Sequence, residues 1–159
     1  MRGGGPKYSI ILPVYNEEAV VVSTIKTGIH DLHALGNDSD YEIIVVDNAS
    51  TDQTAARVNE LSIQNPQIKL VQHPSNLGYS MSNLTGFHES NGDVIVTMDG
   101  DGQLTLRDLP KFLSQIEQGN NVVYGWRKVR NDTVIRILVS YCLNFLARIL
   151  LGWPYHDIN

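Results

Sequence analysis

Runs of strand length alternate with helical patterns along the whole chain, which predicts an α/β fold with a mostly parallel, Rossmann-like sheet and helices on both faces. Two further observations support that class. The strand-like runs are rich in Ile and Val with little alternation, as in strands buried on both faces. The segments that follow them are short and polar, as expected where ligands bind at the carboxyl ends of parallel strands.

The elements follow in order. Residues 7–13 (Lys-Tyr-Ser-Ile-Ile-Leu-Pro) form strand one, stopped by Pro13. Asn16-Glu17-Glu18 opens a helix to about residue 35, its acids suited to the positive end of the helix dipole. A polar turn leads to strand two at 41–47 (Tyr-Glu-Ile-Ile-Val-Val-Asp), then to a helix capped by Thr51 or Asp52 and broken at Asn65-Pro66. Residues 68–72 form a short strand three, and 79–90 a helix. Residues 94–103 read Val-Ile-Val-Thr-Met-Asp-Gly-Asp-Gly-Gln, a buried strand four that ends in two closely spaced acids. A helix at 107–118, strand five at 121–124 and an apolar helix at 132–151 complete the pattern.

The length of 159 residues suits one domain, 1–159. With 42% apolar and 18% charged residues, the chain has enough apolar side chains for a folded core. The net charge of −5, with basic residues scattered, argues against a nucleic-acid partner. The lone Cys142 excludes a disulfide framework and a cysteine-rich zinc site. Residues 1–6 lack the apolar run of a secretory leader, and no stretch has the length and apolarity of a membrane span. The chain stops at Asp157-Ile158-Asn159 without a closing turn, so a domain incomplete at its C-terminus is expected.

The candidate chemistry lies at the strand ends. Asp99, Asp101 and Gln103 offer hard oxygen ligands for Mg²⁺ or Mn²⁺, and Gly100 and Gly102 let the backbone bend both acids toward one ion. A solvated Asp-Gly turn is the plainer reading of the same residues. Asp47 matches the acid that dinucleotide folds place on a ribose, or simply caps the next helix. The first strand-to-helix junction, Pro13-Val14-Tyr15-Asn16-Glu17, has no glycine-rich phosphate loop; Tyr15 suits stacking on a base and Glu17 accepting from one. In the last helix Arg136, Ser140, Asn144 and Arg148 recur every four residues as a narrow polar stripe, preceded by Arg127 and Arg130. Such arginines suit a phosphate, or the stripe is the solvated edge of a core helix. His73 and His88 lack ligand-like spacing and are expected to be structural or at the surface.

Together these residues resemble the family 2 glycosyltransferases, which have the GT-A fold. The resemblance rests on Ser9-Ile10-Ile11-Leu12-Pro13-Val14-Tyr15-Asn16-Glu17-Glu18, Val45-Val46-Asp47-Asn48-Ala49-Ser50-Thr51-Asp52, Asn76-Leu77-Gly78 and the cluster Asp99, Asp101, Gln103. Gly125-Trp126-Arg127 with Arg136, Ser140 and Asp157 is similar to the polyprenyl-phosphate branch, which includes dolichyl-phosphate mannose synthases. The chain departs from the family at Asn48, where many members have a second Asp, and at Tyr79 and Ser82, where Lys or Arg and Ala are frequent.

The resemblance implies an inverting, metal-dependent enzyme that moves a hexose from a UDP- or GDP-sugar to a polyprenyl phosphate. Pro13, Tyr15, Glu17, Val45 and Asp47 would hold the nucleoside, and Asp99, Asp101 and Gln103 the Mg²⁺ or Mn²⁺ on the diphosphate. Arg127, Arg136 and Ser140 would bind the acceptor phosphate, and Asp157 would orient an arginine or ligand. The implied partners are a nucleotide-diphosphate sugar, the lipid and a membrane surface. The implied location is cytoplasmic, peripheral at the membrane or joined to transmembrane helices. A family 2 enzyme acting on a saccharide hydroxyl and a non-catalytic nucleotide-binding module are the rival readings.

Overall fold

The computed structural model describes residues 7–36, 40–99 and 106–125. Contacts divide the chain into two compact units, Met1–Leu109 and Pro110–Asn159. The first holds β1 (Tyr8–Val14), α1 (Val21–Ala34), β2 (Tyr41–Asp47), α2 (Thr54–Gln64), β3 (Ile68–Gln72), α3 (Tyr79–Glu89), β4 (Val94–Thr97) and a 3₁₀ turn at Leu106–Asp108. Helix α4, Leu109–Glu117, begins at the boundary and ends beside Gly119, whose φ is 93°.

The sheet is parallel throughout, with strand order β3-β2-β1-β4. The chain moves outward from β1 through β2 to β3, then returns to the other side of β1. That reversal creates a switch point between β1 and β4, where the loops leaving neighbouring strands part and open a crevice. Every residue of β1 is buried, and in β2 only Glu42 is not. Ile11, Ile44 and Val46 pack together on one face with Val71 against them, and Gly86 brings α3 onto Ile11. Ile10, Leu12, Ile43 and Val45 are equally buried on the other face. Burying each such aliphatic side chain contributes about 1.5–3 kcal/mol, so the central pair of strands is the stable floor on which the loops rest.

The described elements meet the α/β expectation, with four local corrections. Pro13 lies inside β1 and does not stop it. The alternation set by the amide of Met98 bonding the Ile11 carbonyl turns Pro13 toward β4, whose pairing has already ended at Ile11↔Thr97, so the missing N–H costs no ladder bond. Helix α1 starts at Val21, not at Asn16. Asn16 is left-handed at φ 55°, and the amides of Glu17 and Glu18 bond side chains of the next loop. β4 is not buried: it is an edge strand among the described residues, α3 packs over β1 and β2, and Ile95 is 39% exposed. Residues 121–124 form no strand; Val122 and Tyr124 are exposed and pair with no strand among the described residues. The expected helix at 132–151 lies outside the described residues.

Candidate active site

The loops leaving β1 and β2 are stitched to one another. Asn16 donates its amide to Ser50 Oγ at 2.9 Å, and its Oδ1 accepts from the Thr51 amide at 2.8 Å. The Glu17 amide donates to Thr54 Oγ1 at 2.8 Å and the Glu18 amide to Asp52 Oδ2 at 3.1 Å. In return Glu18 Oε2 accepts from the Gln53 amide at 2.9 Å. The left-handed turn at Asn16 is what sends its amide and side chain the same way; asparagine tolerates that conformation better than most residues. The stitch fixes the backbone that carries Tyr15 and Glu17.

Asp52 serves two ends of this stitch. Its Oδ1 accepts from the amide and hydroxyl of Thr54, so it caps α2 from one residue before the Gln53 cap position. Desolvation pushes its pKa up, but the bonds from the Thr54 hydroxyl and amide and from the Glu18 amide outweigh this and hold the carboxyl below its ordinary value. Of the two expected caps, Asp52 does this work, whereas Thr51 bonds to Asn16.

A second network fixes the approach to α3. Asn48 Oδ1 accepts from the Leu77 amide at 2.9 Å and meets His73 Nδ1 at 3.0 Å, while its Nδ2 donates to Asn76 Oδ1 at 2.9 Å. Asn76 Oδ1 also accepts from the Gly78 amide at 3.0 Å. His73 Nε2 lies 2.9 Å from Thr85 Oγ1. Because Asn48 presents an oxygen, His73 carries its proton on Nδ1, and the Thr85 hydroxyl donates to Nε2. His73 is thus structural, as its spacing suggests. Gly78, at φ 85°, then turns the chain into α3.

These two networks border a cavity of about 360 Å³, lined by Pro13 and Val14 at the end of β1, Tyr15 and Glu17 after it, Asn48 after β2, Asn76 and Gly78 before α3, Tyr79 and Ser82 in its first turn, and Asp99 after β4. All of these positions lie at the carboxyl edge of the sheet, around the switch point. Three of the residues expected at a nucleoside, Pro13, Tyr15 and Glu17, line it; Val45 and Asp47 do not. Val45 is a core residue at 0% exposure. Asp47 is 1% exposed, and its carboxylate accepts from the Ser50 amide at 3.3 and 3.4 Å, so it braces the loop after β2.

Asp99 is the described member of the expected metal cluster. It faces the cavity, and Tyr79 donates its hydroxyl to Asp99 Oδ1 at 2.9 Å. Asp101 and Gln103 lie outside the described residues, as do Arg127, Arg136, Ser140 and Asp157. Among the described residues no three His, Cys, Asp or Glu side chains cluster closely enough to hold a metal. The donor chemistry nevertheless fits Mg²⁺ or Mn²⁺: a carboxylate at a strand end, followed in sequence by a second carboxylate and an amide oxygen.

One buried acid escaped the sequence reading. Asp31 on α1 is 3% exposed; it accepts from the Leu106 amide at 3.1 Å and from Arg107 Nε at 3.2 Å. It therefore anchors the chain where it emerges from the segment after Asp99. The available signal was its position on the apolar stripe Val21, Ile25, Gly28, Leu32 of a helix, where an acid needs a partner.

The chain is 32% identical over 153 residues to undecaprenyl-phosphate 4-deoxy-4-formamido-L-arabinose transferase of Enterobacter sp. (strain 638), covering 95% of this chain and 46% of that protein. It is 34% identical over 150 residues to dolichol-phosphate mannosyltransferase of Pyrococcus furiosus, covering 91% of this chain and 41% of the relative. The chain thus spans less than half the length of these curated relatives. A solved mannosyltransferase of Pyrobaculum calidifontis, in complex with GDP-Man and Mn²⁺, superposes with a TM-score of 0.55 at 25% identity over 67% of this chain and 30% of that one. The parallel sheet with its flanking helices is accordingly a GT-A fold. Residues 9–156 match the family model for glycosyl transferase family 2, and the chain belongs to that family.

Proposed function

We propose that this chain carries the donor-binding part of an inverting, metal-dependent glycosyltransferase that moves a hexose from a UDP- or GDP-sugar to a polyprenyl phosphate. The observation that carries the reading is the cavity at the switch point, where Tyr15 and Glu17, Asn48 and Asn76, and Asp99 converge from separate strand ends. The relatives act on undecaprenyl and dolichol phosphates by name, and the solved neighbour holds GDP-Man and Mn²⁺. These names support the acceptor and donor classes.

In this reading Tyr15 stacks on the base, Pro13 shapes the floor beneath it, and Glu17 accepts from the base or ribose. Asp47 and Val45 keep the loop beneath the nucleoside in place from inside the fold. Asp99, with Asp101 and Gln103, would hold Mg²⁺ or Mn²⁺, which stabilises the negative charge developing on the leaving diphosphate. An oxygen of the acceptor phosphate attacks the anomeric carbon from the side opposite the diphosphate, and the bond to the leaving oxygen breaks, inverting that centre. A phosphate monoester has a second pKa of about 6, so at neutral pH it is mostly dianionic and needs no general base. Its need is cationic positioning next to another polyanion, the role assigned to Arg127, Arg136 and Ser140. Asp157 orients an arginine. Among the described residues no helix is long and apolar enough to cross a membrane. In this proposal the lipid acceptor places the chain at the cytoplasmic face of a membrane, peripheral to it or joined to transmembrane helices.

Calorimetric titration of UDP and GDP, with Mn²⁺ and with EDTA, tests the donor side. Metal is expected to tighten binding, and Asp99→Asn to weaken the metal-dependent part by at least about tenfold. Equal affinity in Mn²⁺ and EDTA would remove the metal from the site. On the acceptor side, Arg136→Ala in the full-length protein is expected to raise the KM for polyprenyl phosphate while donor binding stays the same; unaltered acceptor kinetics would sink the lipid-phosphate assignment.

A further inference from the structure

Helix α1 meets the cavity wall at one end and a distant part of the chain at the other. At its start the amides of Val20 and Val21 bond the carbonyl of Glu17, a lining residue, at 3.0 and 2.9 Å. Near its end Asp31, which does not line the cavity, accepts from the Leu106 amide at 3.1 Å and from Arg107 Nε at 3.2 Å. Leu106 is itself buried, and its side chain lies against Gly28 of α1. The Leu106 amide opens the 3₁₀ turn that leads into α4, where a helical turn leaves its donors without internal partners, and Asp31 supplies that cap from another element. An aliphatic side chain would fill this place on the apolar stripe of α1 with no desolvation cost. What the acid adds is a directional hold on Leu106.

That hold sets the slack of the connection that begins with Asp99. The upstream end is fixed on β1, where the Met98 amide bonds the Ile11 carbonyl at 3.1 Å. The downstream end is fixed on α1. These two ends lie at different heights in the fold. Helix α1 joins two parallel strands, so it runs from the carboxyl edge of the sheet back toward the amino edge. At 1.5 Å per residue, Asp31 lies about 15 Å along the helix from Val21, away from the cavity. An extended chain gains at most about 3.3–3.6 Å per residue, so that drop takes up much of the reach of residues 99–105. Fixing both ends removes chain entropy that a ligand would otherwise have to remove on binding. We infer that Asp31 is a positioning residue: from the far end of α1 it fixes the downstream end of the connection that carries Asp99 and Asp101, so that a divalent cation meets acids already confined. This inference rests on the reading of Asp99 and Asp101 as cation ligands.

The test uses the 159-residue chain. Bound Mn²⁺ is counted in the presence of GDP or UDP from the loss of the free-ion paramagnetic resonance signal, and nucleotide affinity in EDTA is measured by calorimetry. Asp31→Ala removes both bonds, whereas Asp31→Asn keeps an oxygen for the Leu106 amide. Far-UV circular dichroism checks that each variant folds, and hydrogen exchange of the Leu106 amide reads the hold itself. Asp31→Ala is expected to speed that exchange and to weaken Mn²⁺ binding by about tenfold, as loss of a group that orients metal ligands does. Nucleotide binding in EDTA is expected to stay unchanged, and Asp31→Asn to restore most of the Mn²⁺ affinity. Should Asp31→Ala not fold, Arg107→Ala, at a position whose side chain is 75% exposed, releases one of the two bonds and is expected to weaken Mn²⁺ by about threefold; no loss there overturns the inference. Faster Leu106 exchange with Mn²⁺ affinity at the wild-type value would show that Asp31 only seats the start of α4; the inference is then overturned, and the reading of Asp99 and Asp101 stands. Equal weakening in Mn²⁺ and EDTA would mark a general loosening of the cavity and overturn it as well. A wild type that binds no Mn²⁺ removes that reading and the inference together.

Discussion

Asn48 is the joint between β2 and α3, and replacing it separates what its shape contributes from what its charge would. Three bonds converge on its side chain: from the Leu77 amide at 2.9 Å, from His73 Nδ1 at 3.0 Å and to Asn76 Oδ1 at 2.9 Å. The residue is only 5% exposed, so water replaces these bonds poorly. At about 1 kcal/mol net for each bond, with a surcharge for any partner left unsatisfied, Asn48→Ala is expected to cost about 2–4 kcal/mol. Asn48→Asp retains both acceptor bonds and strengthens them with charge. It loses the donor to Asn76, and Asn76 cannot turn its own NH₂ toward the new carboxylate without releasing the Gly78 amide, held at 3.0 Å. The aspartate is therefore expected to cost only about 1 kcal/mol. Urea unfolding followed by far-UV circular dichroism measures both, and hydrogen exchange of the Leu77 amide reads the joint directly, with exchange faster by about tenfold or more in the alanine variant. An alanine variant within about 0.5 kcal/mol of wild type, or one as stable as the aspartate, would refute the joint.

Two other changes test the packing and the stitch. A Cβ at Gly86 runs into the side chain of fully buried Ile11, so Gly86→Ala is expected to lift α3 from β1 and cost about 1–3 kcal/mol in urea unfolding; an unchanged midpoint would show that the helix is not seated there. Asp52 has its folded-state pKa depressed below 3.8, so its stabilising effect is present in full above that value and is lost as pH falls through the lower folded value. Asp52→Asn is thus expected to be less stable than wild type at neutral pH, with the two curves converging as pH drops below about 4; a gap that persists at acid pH would assign the effect to shape alone.

Much of this architecture is legible from local sequence. β2, β3 and α3 lie where their apolar runs and flanking turns put them, and the central strand β2 declares itself by its run of Ile and Val. The misreadings at the first strand-to-helix junction share one cause, which is that a residue's partner sat far away along the chain. Glu17 and Glu18 look like helix-opening acids, but their amides are claimed by Thr54 and Asp52. Pro13 looks like a stop, but its ring faces the side where β4 has ended. β4 has the composition of a buried strand and the exposure of an edge. The same limit applies to the site. Tyr15, Glu17 and Asp99, which line the cavity, stand out from strand ends alone and Pro13 from the family resemblance, whereas the burial of Asp47 depends on the turn at Ser50, and the bond from Tyr79 to Asp99 depends on a helix that starts 20 residues earlier.

The two edges of the sheet show why residue type alone does not locate a site. At the amino edge, Ser9 donates to Glu42 Oε1 at 2.6 Å and accepts from the Gly92 amide at 2.8 Å, while the Asn91 amide donates to the same Glu42 oxygen at 2.6 Å. Gly92 backs directly onto the Ser9 backbone, where a Cβ has no room. This network of serine, glutamate, asparagine and glycine fixes where β4 enters the sheet. At the carboxyl edge, asparagines, aspartates, serine and threonine make networks of the same kind, yet these border a cavity. The difference lies in strand direction and strand order. All strands point the same way, so every loop that leaves a strand gathers at one edge, and the return of the chain past β1 parts those loops there. The polar residues at one end therefore hold the sheet together, and those at the other end have a space to act on.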